Sequence, residues 1–457
     1  MQIFLVYLTI NWNQSGYNYG LGYIASLLKE KGHNINFFTI NNSSDIELFY
    51  EQIKLKEPDI IGFYVSTYQF IYLKEIIPKI KKISKSFVLI GGPYPTLKPE
   101  CIYEIPELDA IVRGEGEFPM LDLAEAFEHK TDHLLIKNFW YKTKEGVVKN
   151  DLRPLINDLD KLPLPDKSSL DYQQEINRHG GINRFIFSRG CIFECTYCSN
   201  KAYTDLYNKT YYRVLSPQRA IEGIESDARK YKFKEIIFDD DTINLNEEWF
   251  LEFFALYKKK FTYPFICNMR PDIVNPVAIK LLKDAGVKGI WIGVEHGNEE
   301  FRRTVLKRNI KNEEIINAFN LIAKNDIKCY AQIMVGLPFE NKELFLDTVK
   351  LCRKLPISST NSISIFNPYP STELGKICEQ NNWLPSRGKY HERSEAAISY
   401  PGFSKEEIQL CADVFPSLMR FKFISLNNPL NLVYYTLVFP RKFIHRLFGA
   451  CLRHYIS

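Results

Sequence analysis

The sequence predicts an α/β fold in which a doubly wound parallel sheet precedes a partial (β/α)6 barrel and a helical C-terminal region. Short apolar segments alternate with amphipathic helical segments in two separate series, and this alternation is typical of parallel sheets with helices on their faces. A connector that contains a proline-rich segment separates the two series. We therefore divide the 457 residues into 1–130, 131–182, 183–374 and 375–457.

The composition is typical of a water-soluble globular protein, with 45% hydrophobic and 25% charged residues. Ten cysteines in this length are too few for a disulfide scaffold. The N-terminal segment has no signal-peptide pattern, and no apolar run reaches the roughly 18 residues of a membrane-spanning helix. We therefore expect a cytoplasmic protein whose cysteines are free thiols or metal ligands.

The first series predicts the doubly wound domain. Strands are expected at 2–8, 34–40, 60–65, 87–90 and 110–112, with helices at 21–31, 72–83 and 119–127. Ligands of such a sheet bind beyond the carboxyl ends of its strands. The loops at that edge comprise residues 11–20, 66–68, 91–96 and 113–117. Two of them are rich in glycine, which lets the backbone approach a ligand closely.

The second series predicts the partial barrel. Strands are expected at 184–188, 235–238, 265–270, 289–295, 328–335 and 362–366, with helices at 217–231, 247–260, 276–285, 313–325 and 342–355. The active site of such a barrel lies at the carboxyl ends of its strands. In the connector, residues 138–142 and 146–149 predict a hairpin, and residues 162–166 (LPLPD) predict a stiff linker.

Cys191, Cys195 and Cys198 follow the first barrel strand directly, in the spacing C-x3-C-x2-C. Structural zinc sites and iron–sulfur clusters normally have four protein ligands. One interpretation is a structural zinc site whose fourth ligand is distant in the sequence. The other is an iron–sulfur cubane in which three thiolates leave one iron open, because catalytic metal sites keep one coordination position free.

The triplet and its position resemble the radical S-adenosylmethionine (radical SAM) superfamily. Tyr197 matches the aromatic residue that usually precedes the last cysteine of this motif. The resemblance implies a 4Fe-4S cluster on the three cysteines, with the fourth iron chelated by S-adenosylmethionine. It also implies that an electron passes from the cluster to the sulfonium and breaks a carbon–sulfur bond homolytically.

Further stretches at the ends of barrel strands resemble the same family. Residues 238–242 (FDDDT) stand where the family binds the methionyl amine, although acids replace its usual Gly-Gly-Glu. Residues 293–297 (GVEHG) resemble its Gly-x-Glu-x-Gly pattern, and residues 336–338 (GLP) would contact adenine. The loop 368–372 resembles one that closes the barrel. Asn268 and Arg270 share a strand face by two-residue alternation. The resemblance implies S-adenosylmethionine binding by Tyr197, Asp239, Asp240, Asn268, Arg270, Glu295 and Leu337.

The N-terminal domain resembles the flavodoxin-like cobalamin-binding domain of cobalamin-dependent radical enzymes. The matching stretches are residues 18–22, 91–96 and 112–117. No Asp-x-His-x-x-Gly motif occurs in the sequence, so the resemblance implies cobalamin without a histidine below the cobalt. The alternative is that the domain has lost the cofactor and serves as a scaffold. The implied cobalamin-binding residues are Tyr19, Gly20, Ser66, Thr67, Gly91, Gly92, Gly114, Glu115 and Gly116.

The other cysteines argue against additional clusters. Methylthiotransferases share the barrel but place a second cluster on three N-terminal cysteines, and this chain has only Cys101 there. Cysteines in the C-terminal part are too scattered to form a recognisable ligand set.

The C-terminal region is basic, since no acidic residue follows Asp413 while six lysines and arginines do. Residues 441–455 predict an amphipathic helix with one apolar and one basic face. It either docks on the barrel or lies on an anionic membrane surface, and the second interpretation suggests a lipid or lipid-linked substrate. The basic residues follow no nucleic-acid-binding motif.

From these observations we expect a cobalamin-dependent radical SAM enzyme that methylates an unactivated carbon of a small-molecule or lipid-type substrate. An external donor such as flavodoxin or ferredoxin would supply electrons. The alternatives are a cobalamin-dependent cyclase or rearrangement enzyme, and a non-catalytic cobalamin or iron–sulfur sensor. The sequence does not indicate which side chain transfers protons.

Overall fold

The computed structural model describes residues 1–10, 17–359, 363–384 and 391–420. A mainly parallel sheet in the N-terminal half and a parallel sheet in the second half contain most strands of the described residues. No helix among these residues has the length and apolar character needed to cross a membrane. The predicted helix at 441–455 lies outside the described residues.

The N-terminal sheet has seven strands in the order β2-β1-β3-β4-β5-β6-β7. β1 to β5 are parallel, whereas β6 and β7 are antiparallel additions at one edge. The parallel part has the flavodoxin-like order, and separate apolar cores cover the two faces of the sheet. The elements are β1 (Gln2–Leu8), α1 (Tyr19–Glu30), β2 (Asn34–Ile40), α2 (Ser43–Lys56), β3 (Ile60–Tyr64), α3 (Phe70–Ile83), β4 (Phe87–Gly91), α4 (Pro93–Leu97), β5 (Ala110–Val112), α5 (Glu117–His129), β6 (Phe139–Thr143) and β7 (Gly146–Lys149).

The second sheet is a curled half-barrel of six parallel strands in the order β8-β11-β12-β13-β14-β15. Its elements are α6 (Tyr172–Arg178), β8 (Ile182–Phe185), β9 (Ser188–Gly190), α7 (Ser199–Tyr207), β10 (Tyr212–Val214), α8 (Pro217–Lys230), β11 (Glu235–Phe238), α9 (Glu247–Lys260), β12 (Phe265–Met269), α10 (Pro276–Asp284), β13 (Val287–Glu295), α11 (Glu299–Thr304), α12 (Asn312–Lys324), β14 (Lys328–Val335), α13 (Lys342–Cys352) and β15 (Ile363–Ile365). Two further helices follow it, α14 (Glu373–Gln380) and α15 (Lys405–Arg420).

The predicted strand at 184–188 is divided in the structure. β8 ends at Phe185, and β9 leaves the barrel to pair antiparallel with β10. The carboxylate of Asp240 explains the break, because it accepts hydrogen bonds from the backbone amides of Phe187 and Ser188. Those two amides therefore do not donate to a neighbouring barrel strand.

The predicted hairpin forms, but it belongs to the N-terminal sheet. β6 pairs with β5 along Val112–Phe139, Ile111–Trp140 and Ala110–Tyr141. The sheet therefore extends past residue 130, to Lys149. The hairpin pattern alone identifies two paired strands without indicating which sheet edge they join.

Candidate active site

The loop with Cys191, Cys195 and Cys198 connects β9 to α7 at the mouth of the half-barrel. Gly190 begins the loop with φ of 86°, and a Cβ there would lie 1.5 Å from the carbonyl oxygen of Tyr211. Only glycine therefore fits at this turn. Thr196 fixes the middle of the loop, because its hydroxyl donates to the carbonyl oxygen of Val305 at 2.7 Å.

The three thiols lie close enough to influence each other electrostatically. Burial raises the pKa of Cys191 and of Cys198, and the neighbouring thiols raise both pKa values further. Cys195 is buried, and its sulfur accepts hydrogen bonds from Arg270 Nη1 at 3.7 Å and Arg308 Nη1 at 3.9 Å. Two cations therefore face one of the three soft sulfur donors.

This donor set fits an iron–sulfur cubane. In a cubane each thiolate binds a different iron, so the sulfurs need not converge on one point. Within the described part of the chain, no group of three or more His, Cys, Asp or Glu side chains is arranged to hold a metal ion. Three thiols on one loop provide ligands for three irons, and two guanidinium groups lie beside one of the sulfurs.

The acidic segment after β11 has three separate environments. Asp239 forms a bidentate ion pair with Arg184. Asp240 Oδ1 accepts from the Phe187 and Ser188 amides, at 3.0 and 2.6 Å, whereas its buried Oδ2 has no hydrogen-bond partner among the described residues. Burial raises the pKa of Asp240 to about 6. Asp241 accepts from the Asn200 side chain at 2.7 Å.

Asn268 and Arg270, which share one face in the predicted strand, have different contacts. The Asn268 amide donates to the carbonyl oxygen of Asp240 at 3.1 Å. The Arg270 guanidinium forms a bidentate ion pair with Asp272 and lies 3.4 Å from the ring centre of Phe193. Arg270 is thereby directed at the cysteine loop.

Glu295 ends β13 with φ of 63°, a left-handed conformation that is uncommon for a residue with a Cβ. The ladder between β13 and β14 shifts register at this point. Burial raises the pKa of Glu295, while Arg308 and a hydrogen bond from Tyr197 oppose the rise. The unusual backbone turns the carboxylate toward the cysteine loop, where it meets Tyr197.

Leu337 follows β14 and is completely buried. Its amide and that of Gly336 both donate to Glu340 Oε2, at 2.9 and 2.7 Å. The Glu340 carboxylate therefore holds this turn in place.

A cavity of about 390 Å³ lies between the two domains. Seven of the nine predicted cobalamin-binding residues line it, together with Ser188, Gly190, Asn200 and Asp241 from the barrel side. The seven are Tyr19, Gly20, Gly91, Gly92, Gly114, Glu115 and Gly116. Ser66 and Thr67 do not line this cavity; Thr67 faces a second cleft of about 710 Å³ that is bounded by Tyr94 and Tyr369. The glycine-rich loops and the segment after the cysteines thus border one space.

Two glycines keep the cavity wall close to aromatic rings. Gly92 has φ of 100°, and a Cβ there would lie 3.0 Å from the Tyr64 ring. Gly114 has φ of 69°, and a Cβ there would lie 2.0 Å from Tyr207 Oη. Neither position accommodates a larger residue, so the cavity has a bare backbone on its N-terminal side, as close approach of a large planar cofactor requires.

Glu115 has an additional role in the contact between the domains. Its Oε1 accepts from Arg189 at 2.7 Å and from Arg213 at 2.9 Å, and Arg189 also pairs with Glu117 at 2.6 Å. All four side chains are mostly buried.

Several residues of the site are absent from the sequence-based prediction. Arg308 lies 113 residues after Cys195, in the loop between α11 and α12. No motif in the neighbouring sequence distinguishes it from an arginine on the protein surface. Tyr203, Tyr207 and Tyr211 form a stack beside the cavity. The two tyrosines of α7 recur at helical spacing, which is a weak signal of a shared face.

Two family models match the chain. The B12 binding domain model matches residues 6–124, and the radical SAM superfamily model matches residues 185–352. Together they cover more than half of the sequence.

Curated relatives include both methyltransferases and cyclases. An uncharacterised methyltransferase of Pyrococcus horikoshii is 29% identical over 371 residues, which cover 80% of this chain and 79% of the relative. The anaerobic magnesium-protoporphyrin IX monomethyl ester cyclase of Rubrivivax gelatinosus is 27% identical over 370 residues, which cover 78% of this chain and 65% of the relative.

Two solved structures share the fold. The radical S-adenosylmethionine methyltransferase TsrM of Kitasatospora setae, with tryptophan and an S-adenosylmethionine analogue bound, superposes with a TM-score of 0.71 at 17% identity, covering 84% of this chain and 77% of TsrM. The cobalamin-dependent S-adenosylmethionine radical enzyme OxsB, with aqua-cobalamin and S-adenosylmethionine bound, gives 0.66 at 18% identity, covering 94% of this chain and 63% of OxsB.

The combination of the two family domains in this order confirms the predicted family, fold class and cofactors: a 4Fe-4S cluster, S-adenosylmethionine and cobalamin. The chain belongs to the cobalamin-dependent radical S-adenosylmethionine enzymes.

Proposed function

We propose that this enzyme transfers a methyl group to an unactivated carbon of a small-molecule or lipid-type substrate. The cavity between the two domains supports this proposal. Glycine-rich loops of the cobalamin-type domain border it on one side, and Asn200 and Asp241, next to the cysteine loop, border it on the other. A substrate in this space would contact both cofactor-binding edges at once, as methyl transfer between them requires.

We assign Cys191, Cys195 and Cys198 as cluster ligands, and we keep Tyr197, Asp239, Asp240, Asn268, Arg270, Glu295 and Leu337 as the proposed S-adenosylmethionine site. The contacts of these residues suggest different tasks. The free Oδ2 of Asp240 offers an acceptor for the methionyl amine. Asp239 and Leu337 are occupied by protein contacts, so their side chains would hold the strand ends in position.

We propose that the glycines of the cavity wall, with Tyr19, contact the corrin ring. Glu115 would act mainly by holding the domains together, since both of its oxygens already accept hydrogen bonds. Ser66 and Thr67 follow β3 at the same sheet edge and remain proposed contacts for a cofactor that extends beyond the cavity.

The bound cofactors would supply the methyl group and the radical. The residues of the chain would position them and exclude water from the cavity. Electrons come from an external reductant in this family, and we propose flavodoxin or ferredoxin as the donor.

Mass spectrometry with S-adenosylmethionine that carries a deuterated methyl group tests the proposal. The reconstituted wild-type enzyme should form 5′-deoxyadenosine and label a candidate substrate, whereas Cys198→Ala should form neither. Production of 5′-deoxyadenosine with an unlabelled, dehydrogenated or ring-closed product would contradict methyl transfer. That result would favour cyclisation, which the similarity to the Rubrivivax cyclase makes the second candidate. Absence of 5′-deoxyadenosine under all reducing conditions would favour a sensor.

We also propose that the enzyme is cytoplasmic and that residues 441–455 contact a membrane peripherally. The proposal depends on the basic, amphipathic sequence of that segment. Co-sedimentation with anionic liposomes should be lost when residues 428–457 are deleted. If the full chain does not bind liposomes, the membrane contact is wrong and a lipid-type substrate loses its support.

A further inference from the structure

Cys195 is distinguished from the other two cysteines by its surroundings. It is 6% exposed, and two guanidinium groups donate to its sulfur, at 3.7 Å from Arg270 and 3.9 Å from Arg308. Both distances lie within the 4.0 Å reach of a hydrogen bond to sulfur. No hydrogen bond from a guanidinium to the sulfur of Cys191 or Cys198 occurs among the described residues.

Each guanidinium is fixed in place by other contacts. Arg270 is held by two hydrogen bonds to Asp272 and by the ring of Phe193. Arg308 donates to the carbonyl oxygen of Gly293 at 2.6 Å. Because both arginines are buried, neither group can turn toward solvent without losing these contacts.

The two charges are compensated differently. Asp272 lies 2.9 Å from Arg270 and neutralises much of its charge. In the described part of the chain, no carboxylate pairs directly with Arg308, and the nearby Glu295 carboxylate acts on it from a longer distance. Arg270 thus has a direct carboxylate partner, whereas Arg308 faces the Cys195 sulfur without one among the described residues.

We propose that Arg308, supported by Arg270, raises the reduction potential of the bound cluster through Cys195. The inference rests on the proposed cluster ligands. Reduction by the external one-electron donor adds one negative charge to a cluster that already has three thiolate ligands. A buried cation beside a ligand sulfur stabilises the more negative state, and hydrogen bonds to the sulfurs act in the same direction. Arg308 would thus favour electron transfer to the cluster by acting through the Cys195 sulfur, without being a ligand itself.

An EPR-monitored redox titration of the reconstituted full-length protein, without substrate, tests the proposal. For Arg308→Gln we expect the equilibrium constant for cluster reduction to fall by about ten-fold or more, which is about 59 mV for a one-electron couple. Arg303→Gln is the matched control, because Arg303 is exposed and pairs with Glu300 on α11. Its potential should equal that of the wild type.

Two further variants keep the test decisive. Arg270→Gln combined with Asp272→Asn removes a charge pair without changing the net charge, so its shift should be smaller than that of Arg308→Gln. Arg308→Lys keeps the charge but loses the fork that reaches both sulfur and Gly293, and we expect a fall of about three-fold. If Arg308→Gln does not retain iron, Arg308→Lys decides the question.

The proposal is overturned if Arg308→Gln has a full iron content and the reduction potential of the wild type. If Arg308→Gln binds no iron, the proposal is overturned when Arg308→Lys has the reduction potential of the wild type. Failure of the wild-type protein to bind iron would instead remove the cluster assignment itself.

Discussion

Among single residues, Asp240 has one carboxylate oxygen that stabilises the fold and one that is available to a ligand. One carboxylate oxygen accepts the two amides that end the first barrel strand, while the other is buried without a partner among the described residues. A buried carboxylate without full compensation costs stability when it is ionised. Such a cost is typical of a group that awaits a ligand.

The raised pKa of Asp240 predicts a pH-dependent stability. Its pKa is about 6 in the folded protein and about 3.9 in an unfolded chain. Between these values the folded state binds more protons, so the contribution of Asp240 to stability falls as the pH rises from 4 to 6. Asn cannot ionise and keeps the acceptor for both amides. Asp240→Asn should therefore raise the melting temperature of the cofactor-free protein at pH 7.5, and the gain should shrink toward pH 5.

Asp284→Asn is the control, because Asp284 is exposed on α10. A gain for Asp240→Asn that does not change with pH would contradict the argument.

Site residues that form a local sequence motif can be predicted from the sequence. Site residues that are distant in the sequence and come together only in the folded chain cannot. The C-x3-C-x2-C spacing is a local pattern, so it identifies the cysteine loop without knowledge of the fold. Arg308 reaches Cys195 across 113 residues, and its loop has no motif. The different tasks of Asp239, Asp240 and Asp241 are equally hidden in the sequence, because they depend on contacts with Arg184, Ser188 and Asn200.

At the scale of elements, the carboxyl ends of the barrel strands position the site. Glu295 owes its direction to the irregular end of β13. Gly293 is part of this arrangement, because a Cβ there would lie 2.5 Å from Glu295 Oε1 and 3.0 Å from Arg308 Nη2. The glycine leaves room for an acid and a base on the same side of the strand.

Gly293→Ala should therefore displace Glu295 and Arg308 while leaving the fold intact. We expect binding of S-adenosylmethionine to the reconstituted protein to weaken by about ten-fold, the loss of one hydrogen bond to a charged group. Equilibrium dialysis measures this, with iron content as a check on the cluster. Gly223→Ala on α8 is the control, since its Cβ would make an ordinary contact of 3.7 Å with Leu164. Equal affinities of the two variants would show that the space beside Glu295 is not needed.

Strand positions follow well from apolar patterns, since β1, β2, β5, β11 and β14 have the predicted bounds. The apolar pattern does not predict a strand end that is set by a hydrogen bond to a residue distant in the sequence. The predicted strand at 184–188 breaks because Asp240, more than fifty residues later, takes the amides of Phe187 and Ser188.

At the scale of the whole molecule, the two domains meet through a buried charge network. Glu115 and Glu117 from the N-terminal domain pair with Arg189 and Arg213 from the β9–β10 pair beside the barrel. These contacts hold the glycine-rich loops against the cysteine-bearing side of the barrel. The order of the domains can be predicted from the sequence. The contact between them that forms the cavity cannot, because in the sequence these glutamates and arginines do not differ from charged residues on a protein surface.

Glu115→Gln should destabilise this docking, because it leaves Arg213 buried without its carboxylate. Removing one partner of a buried ion pair costs about 3–5 kcal/mol. We expect a lower melting temperature for the cofactor-free full chain and faster proteolysis in the connector. Glu145→Gln, in the exposed turn of the β6–β7 hairpin, should change neither. If the two variants melt alike, the network does not hold the domains together.

We expect one chain to hold a cluster on its cysteine loop and a corrinoid on its N-terminal domain. The most direct measurement is the iron and corrinoid content of anaerobically reconstituted protein, compared with the variant in which Cys191, Cys195 and Cys198 are all alanine. We predict about four iron atoms and about one corrinoid per wild-type chain, with loss of iron but retention of corrinoid in the variant. Zinc in place of iron would show that the cysteine loop is not a cluster site, and a wild-type chain that binds no corrinoid would show that the N-terminal domain is not a cobalamin site.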